Sequence, residues 1–214
     1  MRVLTIVVAL LAGGPLVGAG QTPVSPAEGL AARVQAHYAG VRDFTADFVL
    51  STTSPLTPKP LVERGTLRVK KPGRMRWVFR TDDKREFVAD GVHIYSFFPK
   101  DKYVMRSPMP TDSEASTALL FLSGRGHLVR DFTSTLASGA QAGESRLELR
   151  PRTRQTDFER LTLDVANDTL AFRGLVVHDL QGGESTYRFS NLRENVGLTD
   201  AEFVFTIPRG VVIR

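Results

Sequence analysis

The chain has 214 residues, a net charge of +5 and no cysteine. That length suits one domain with its own core. The lack of cysteine excludes disulfides, thiolate catalysis, cysteine-bound metals and a lipid-modified N-terminal cysteine. Basic residues outnumber acidic ones mainly between positions 59 and 106, so the positive charge belongs to one half of the chain.

Residues 1–19 have the features of a secretory signal peptide. Arg2 gives a basic start, residues 3–12 form an apolar run, and small residues near Ala19 offer a cleavage site. The run is too short for a membrane-spanning helix, which needs about 20 residues. We predict a cleaved signal peptide over residues 1–19, with a retained anchor as the alternative, and a single exported domain over residues 20–214.

A helix is predicted to begin at Pro26. Ser25 precedes it as the N-cap, and Glu28 completes a capping box. An apolar stripe then follows at helical spacing, formed by Leu30, Val34, Tyr38 and Val41. A stripe of this kind is expected to cover a sheet.

From Phe44 the apolar period changes to two, which is typical of a half-buried antiparallel strand. The first strand carries on one face Phe44, Ala46, Phe48 and Leu50, and the next carries Gly65, Leu67 and Val69. Between them the stretch STTSPLTPKP, with its prolines, predicts an exposed loop. The sequence Lys71-Pro72-Gly73-Arg74 predicts a turn into a third strand.

This third strand places apolar and basic residues on opposite faces. Met75, Trp77 and Phe79 share one face, and the other carries Arg74, Arg76, Val78 and Arg80. A groove for single-stranded nucleic acid needs cations and stacking rings on the same surface. We therefore exclude nucleic acid, while the apolar face is compatible with either a filled core or a cavity.

The remaining pattern continues the sheet. A hairpin is predicted at Asp90-Gly91, and a helix follows within residues 111–124, with Leu119 and Leu122 on one face. Strand-like segments then occupy residues 132–137, 146–150, 158–165, 170–180 and 184–193. About eleven strands with two or three helices must curl into a barrel or fold into a sandwich.

Motifs for catalysis or cofactor binding are missing from the sequence. The four histidines are far apart and form no HExxH pair, and neither a G-x-S-x-G elbow nor a phosphate loop occurs. Asp82-Asp83 lies between two strands, where aspartate is a common turn residue. We expect no enzyme activity, no catalytic residue, no metal and no cofactor.

An ordered set of short motifs resembles the periplasmic outer-membrane lipoprotein carrier family, LolA. The motifs are Phe44 and Phe48, the stretch GTLRVKKP at 65–72, Trp77, Asp90-Gly91, and the closing FVFTIPRGV at 203–211. They occur in the family's order with similar spacing and cover most of the chain after the signal peptide. Residues 113–157 match mainly in the placement of a helix.

The resemblance implies a mainly β fold: an incomplete, half-open antiparallel β-barrel with helices as a lid over an apolar cavity. It implies a periplasmic carrier that binds lipoprotein acyl chains in this cavity and shuttles them from the inner to the outer membrane. Its partners would be acylated lipoproteins or lipid, an inner-membrane ATP-driven release complex and an outer-membrane receptor, and it would act as a monomer. Arg64, Arg68, Arg74, Arg76 and Arg80 are candidate docking residues.

The resemblance also suggests residues for the site. The candidate cavity lining is Leu30, Val34, Phe48, Leu50, Leu67, Val69, Met75, Trp77, Phe79, Leu119 and Leu122. The family typically has an arginine before the proline, which holds the lid helices closed, whereas this chain has Lys71. Because lysine lacks the planar fork of arginine, we expect a lid lock that is weaker or that uses a neighbour such as Arg74.

Three alternatives stay open on the sequence. A similar barrel can serve as a regulatory module that senses lipid or lipoprotein, and the cargo can be another lipid such as a glycolipid. An exported hydrolase would require Ser123 or Ser138 to lie beside His127 or His178 in the folded chain.

Overall fold

The computed structural model describes residues 24–81, 83–109 and 126–214. The helices are α1 (Pro26–Gly40), the one-turn α2 (Leu128–Asp131) and the 3-10 helix η1 (Asp200–Phe203). The strands are β1 (Asp43–Ser54), β2 (Thr57–Lys70), β3 (Arg74–Phe79), β4 (Glu86–Asp90), β5 (His93–Phe98), β6 (Tyr103–Pro108), β7 (Phe132–Ala137), β8 (Glu144–Pro151), β9 (Arg160–Ala166), β10 (Phe172–His178), β11 (Glu184–Glu194) and β12 (Val212–Ile213). None of these described helices has the length and hydropathy to cross a bilayer.

All the strands belong to one sheet. Its order is β12-β6-β5-β4-β3-β2-β1-β11-β10-β9-β8-β7. Two antiparallel meanders, β1 to β6 and β7 to β11, join through the pairing of β1 with β11, and β12 adds to β6 in parallel. Within the described residues β12 and β7 stay apart as the two edges, which confirms the predicted mainly β, half-open barrel.

Helix α1 begins as its sequence predicts. The backbone N–H of Glu28 donates to Ser25 Oγ at 3.2 Å, and Glu28 Oε2 accepts from the Ser25 backbone N–H at 3.1 Å. The helix buries Ala27, Ala31, Val34 and Tyr38 against the inner face of the sheet. The ring of Tyr38 stacks on Phe172 of β10 at 3.8 Å between centroids. Helix α1 therefore fills the part of the inner face near β10.

The β1–β2 hairpin is longer than the sequence pattern predicts. A loop is expected over residues 51–60, whereas β1 continues to Ser54 and β2 starts at Thr57. The first half of β2 lies beyond β3, which pairs with β2 only from Gly65 onward. Proline is tolerated on such an open edge because no partner strand needs its missing N–H. The loop prediction is wrong for this reason.

The outer face of β2 to β6 is covered by the C-terminal segment, residues 195–214. Phe203 of η1 is buried there, and Phe205 stacks on Tyr95 of β5 at 5.3 Å between centroids. Val88, which faces outward on β4, is fully buried. The closing motif of the sequence thus forms a second apolar layer on the outside of the sheet. The predicted helix within residues 111–124 lies outside the described residues.

Candidate functional site

An apolar cavity of about 270 Å³ lies on the inner face of the sheet, away from the part that α1 fills. Its walls come from β3, β4, β5 and β11. The residues whose side chains line it from the inner face are Met75, Trp77, Phe79, Phe87, Ala89, Ile94 and Tyr187. The Tyr187 hydroxyl and the Trp77 indole N–H are the polar side-chain groups among these residues, so the cavity suits a hydrocarbon ligand.

Aromatic side chains form a continuous wall along the cavity. The ring of Phe48 meets Trp77 and Phe79 edge-on, each at 5.1 Å between centroids. This contact depends on Gly65, which lies directly opposite Phe48 in the β1–β2 register. A Cβ on Gly65 would approach Phe48 Cζ to 2.6 Å and the Val78 carbonyl oxygen to 2.2 Å. Glycine therefore leaves the space that the Phe48 ring occupies.

The residues predicted to line the cavity fall into separate groups. Met75, Trp77 and Phe79 line it in the structure. The buried core of the same inner face contains Val34, Phe48, Leu50, Leu67 and Val69, with Leu30 partly buried against it. Leu119 and Leu122 lie outside the described residues. The described part of the cavity is thus centred on β3, further from α1 than the predicted set.

Four inward-facing lining residues are missing from the set predicted from the sequence: Phe87, Ala89, Ile94 and Tyr187. Alternation around the Asp90-Gly91 hairpin puts Phe87 and Ala89 opposite Trp77 and Met75 in the β3–β4 register, so this signal was present. Tyr187 reaches the cavity only because β11 pairs with β1. No local sequence pattern predicts this long-range pairing.

A charged pair, Arg85 and Glu63, lies next to the lining residue Phe79. Nη2 of Arg85 donates to Oε1 of Glu63, and the guanidinium carbon of Arg85 lies 4.9 Å from the centre of the Phe79 ring. Glu63 is 6% exposed, as buried as many core residues. Burial raises the pKa of Tyr187, the nearby charge of Glu63 adds to this rise, and Arg85 opposes it. The charges of Glu63 and Arg85 therefore both act on the ionisation of the Tyr187 hydroxyl.

The C-terminal end of α1 is tied to the sheet at two points. Lys71 Nζ donates to the backbone carbonyl of Tyr38, and His37 Nε2 lies 2.9 Å from Glu194 Oε2 at the end of β11. Burial lowers the pKa of Lys71, and the charge of Glu194 partly offsets this. A cation at a helix C-terminus also interacts favourably with the helix dipole. Lys71 thus contacts the helix that the sequence assigns to the lid.

Most of the candidate docking arginines already have partners within the chain. Arg74 Nη2 lies 3.4 Å from Asp200, and Arg68 Nε lies 3.6 Å from Glu202. Arg76 bonds Glu86 at 2.5 Å and donates to the Glu202 carbonyl at 2.7 Å. These side chains hold the C-terminal segment against the sheet, which leaves Arg64 and Arg80 as the exposed members of the set.

The histidines named for a possible hydrolase lie apart from the cavity. His178, at the end of β10, contacts Arg160 and Thr162 on the outer face, at 3.2 and 3.3 Å. Burial lowers its pKa, and the charge of Arg160 acts in the same direction. Within the described ranges no group of three His, Asp or Glu side chains is placed to hold a metal ion. In the described part of the chain, the inner face offers apolar contact and the Arg85–Glu63 ion pair.

Comparison with known proteins gives a consistent result. Residues 39–206 match the sequence model of a family described as outer membrane lipoprotein carrier protein LolA. An outer-membrane lipoprotein carrier protein from Dechloromonas aromatica is 29% identical over 169 residues, which cover 79% of this chain and 79% of that protein. One of the same name from Bordetella avium is 27% identical over 186 residues, covering 86% and 87%.

One solved structure supports the fold. It is that of an uncharacterized conserved protein from Thermus thermophilus, with a TM-score of 0.55 and 10% sequence identity. The match covers 87% of this chain and 97% of that one. At this identity the likeness concerns the architecture alone.

Proposed function

Because residues 39–206 match its model, the chain belongs to the LolA family of outer-membrane lipoprotein carriers, and we propose that it shuttles acylated lipoproteins from the inner to the outer membrane. The proposal places the chain in the periplasm after removal of residues 1–19, with residues 20–214 acting as one carrier domain. The partners proposed are an inner-membrane ATP-driven release complex and an outer-membrane receptor.

The apolar cavity between β3, β4, β5 and β11 carries the proposal. Each methylene left in water costs about 0.8 kcal/mol, so a lipoprotein's acyl chains cannot cross an aqueous compartment unprotected. The wall of Trp77, Phe79 and Phe87 offers the apolar surface that removes this cost. Binding of this kind needs no catalytic group, and we propose that the protein is not an enzyme.

The size of the cavity favours a closed state. Its 270 Å³ lies below the range of about 300 to 1,000 Å³ that drug-sized ligands occupy. More than one acyl chain would need additional space, which movement of α1 away from the inner face would supply. Under this proposal the buried residues of the predicted lining, such as Val34, Leu67 and Val69, become contacts for the cargo in the open state.

We propose that Lys71 holds the closed state by its bond to the Tyr38 carbonyl. The bond joins the end of α1 to the start of the turn after β2. A single ammonium makes a weaker lock than a bidentate guanidinium. The contact of His37 Nε2 with Glu194 shares the task at the same helix end.

Release of a labelled lipoprotein from inner-membrane spheroplasts tests the function. The purified chain should bring the acylated lipoprotein into the soluble fraction as a one-to-one complex and then deliver it to outer-membrane vesicles. Failure to release it would contradict the carrier role. Binding without onward delivery would instead favour the sensing module, and preferential release of glycolipid would identify a different cargo.

A further inference from the structure

A polar groove lies on the outer face of the sheet, on the side opposite the apolar cavity. It has a volume of about 390 Å³ and crosses three adjacent strands, β2, β1 and β11. Thr45 of β1 lies opposite Arg68 of β2 on one side and opposite Arg193 of β11 on the other. Asp47 and Asn191 are further polar residues of the lining. The groove therefore has a cation on each wall.

A β-bulge in β11 turns Arg193 toward this groove. Phe189 of the same strand belongs to the core of the inner face, so strict alternation would put Arg193 on that face too. One extra residue in β11, where Asn191 has a left-handed φ of 51°, shifts the alternation. Leu192 consequently packs against the core, and Arg193 faces outward beside Thr45. Bulges that redirect a side chain in this way are common near binding sites.

Both guanidinium groups have unused donors in the described part of the chain. Arg193 is exposed and has no ion pair or side-chain hydrogen bond with another described residue. Arg68 Nε lies 3.6 Å from Glu202 Oε2, too far for a hydrogen bond, and the two side chains are 41% and 36% exposed. An exposed ion pair of this kind contributes little to stability. The negative charge within the groove is that of Asp47, whose Oδ2 accepts from Asn191 Nδ2 at 2.7 Å.

The chain's own C-terminal segment shows which groups this face of β2 binds. Asp200 lies 2.6 Å from Lys70, and Glu202 lies beside Arg68, so carboxylates carried by a polypeptide pair with the cations of β2. The positive edge extends beyond the groove, because the exposed Arg64 lies four residues before Arg68 on the same face, about 13 Å away. A single phosphate group cannot span this distance, whereas carboxylates along an extended peptide can.

We propose that the groove between Arg68 and Arg193 binds an acidic segment of a partner protein through the carboxylates of that segment. The planar guanidinium fork matches a carboxylate in bidentate geometry. Because the groove and the apolar cavity lie on opposite faces of the sheet, the acidic segment can bind while the cavity is filled. The inference goes beyond the proposed function and does not depend on the cargo.

Fluorescence anisotropy of a labelled hexaglutamate peptide, titrated with the full chain, tests this site. A hexaglutamine peptide of the same length is the neutral control. The double variant Arg68→Gln/Arg193→Gln removes both cations of the groove. Arg152→Gln/Arg154→Gln removes the same charge from two exposed residues in the β8–β9 loop and is the matched control. Vesicles of phosphatidylglycerol and phosphatidylcholine test a lipid phosphate as the alternative ligand.

We expect the glutamate peptide to bind and the glutamine peptide not to bind. Affinity should fall about tenfold or more in Arg68→Gln/Arg193→Gln and stay within about twofold in Arg152→Gln/Arg154→Gln. Asp47→Asn should tighten binding about two- to threefold, because it removes a charge that repels the peptide. Equal losses in the two double variants would overturn the site, since net charge alone would then explain the binding. Binding of the vesicles but not of the peptide would overturn it in favour of a lipid phosphate.

Discussion

The rings of Trp77 and Tyr187 meet edge-on at 5.6 Å between centroids, although two strands separate them in the sheet. On a flat sheet, strands three steps apart lie about 14 Å from each other. The contact therefore requires β3 and β11 to curl toward each other around the inner face. This curvature gives the cavity its shape, with β3, β4 and β5 on one side and Tyr187 on the other.

A matched pair of charge substitutions tests which face of β3 contacts the ligand. Trp77→Glu puts a carboxylate in the cavity wall, where an incoming acyl chain would have to displace its water. We expect a loss of about 3 kcal/mol or more of binding free energy, roughly a hundredfold in Kd. Titration with the apolar dye N-phenylnaphthylamine measures it, with circular dichroism to verify folding.

Arg80→Glu is the control for this substitution, because Arg80 is exposed on the opposite face of the same strand end. Arg76 is less suitable, since it bonds Glu86 and the C-terminal segment. Dye affinity should stay within about twofold in Arg80→Glu. Equal losses in both variants would mean that the cavity does not bind the dye.

Gly65 should not tolerate a side chain. A methyl group there would collide with the Phe48 ring and with the Val78 carbonyl, which belongs to the backbone and cannot turn aside. We expect Gly65→Ala to lower the free energy of unfolding by about 1–3 kcal/mol, measured by urea denaturation. Gly29→Ala in α1, with open space around the site, should instead be neutral or stabilise by about 0.5–1 kcal/mol. A neutral Gly65→Ala would contradict the close packing.

Lys71 provides a test of the lid. Lys71→Met removes the donor to the Tyr38 carbonyl, which should destabilise the closed state by about 0.5–1.5 kcal/mol. Because a closed lid reduces apparent affinity, dye binding should become about three- to tenfold tighter. Lys71→Arg keeps a donor at this position and should bind the dye no more tightly than the unmodified chain. Unchanged dye affinity in Lys71→Met would show that Lys71 does not hold the lid closed.

Asp200 should make the attachment of the C-terminal segment depend on pH. The hydrogen bond from Lys70, supported by the charge of Arg74, lowers the pKa of Asp200 below its ordinary value of 3.8. A carboxylate with a lowered pKa stabilises the fold at pH above its ordinary value, and the contribution is lost as pH falls through the folded-state pKa. The Asp200→Asn variant should therefore unfold at a slightly lower urea concentration than the unmodified chain at pH 7. This difference should vanish in acid. A difference independent of pH would contradict this assignment.

The sequence predicts local features of this molecule better than long-range ones. The capping box of α1 and strand β7 have the predicted boundaries, because caps and two-residue periods depend on neighbours in the chain. The loop prediction for the proline-rich stretch at 51–60 is wrong because β3 is too short to pair with the first half of β2, and proline is tolerated on the edge that this leaves open. The wall residue Tyr187 and the Glu63–Arg85 pair depend on strand pairing, which the local pattern does not encode.

The basic half of the chain illustrates the same limit. Its arginines alternate with apolar residues, so their position on the outer face follows from the sequence. Their partners, Asp200 and Glu202, lie more than a hundred residues later in the chain. A surface that suggests docking of another protein in the sequence is therefore largely occupied by the chain's own C-terminal segment.

Photo-crosslinking tests most directly whether the inner-face cavity holds lipoprotein acyl chains. A photoreactive phenylalanine analogue can replace either Phe87, which lines the cavity, or Phe97, which contacts Phe205 on the outer face of the neighbouring strand. On irradiation of cells, position 87 should crosslink to acylated lipoprotein, with the attachment mapped to the acyl chain by mass spectrometry, and position 97 should not. Crosslinks to the acyl chain at position 97 and none at position 87 would contradict the account.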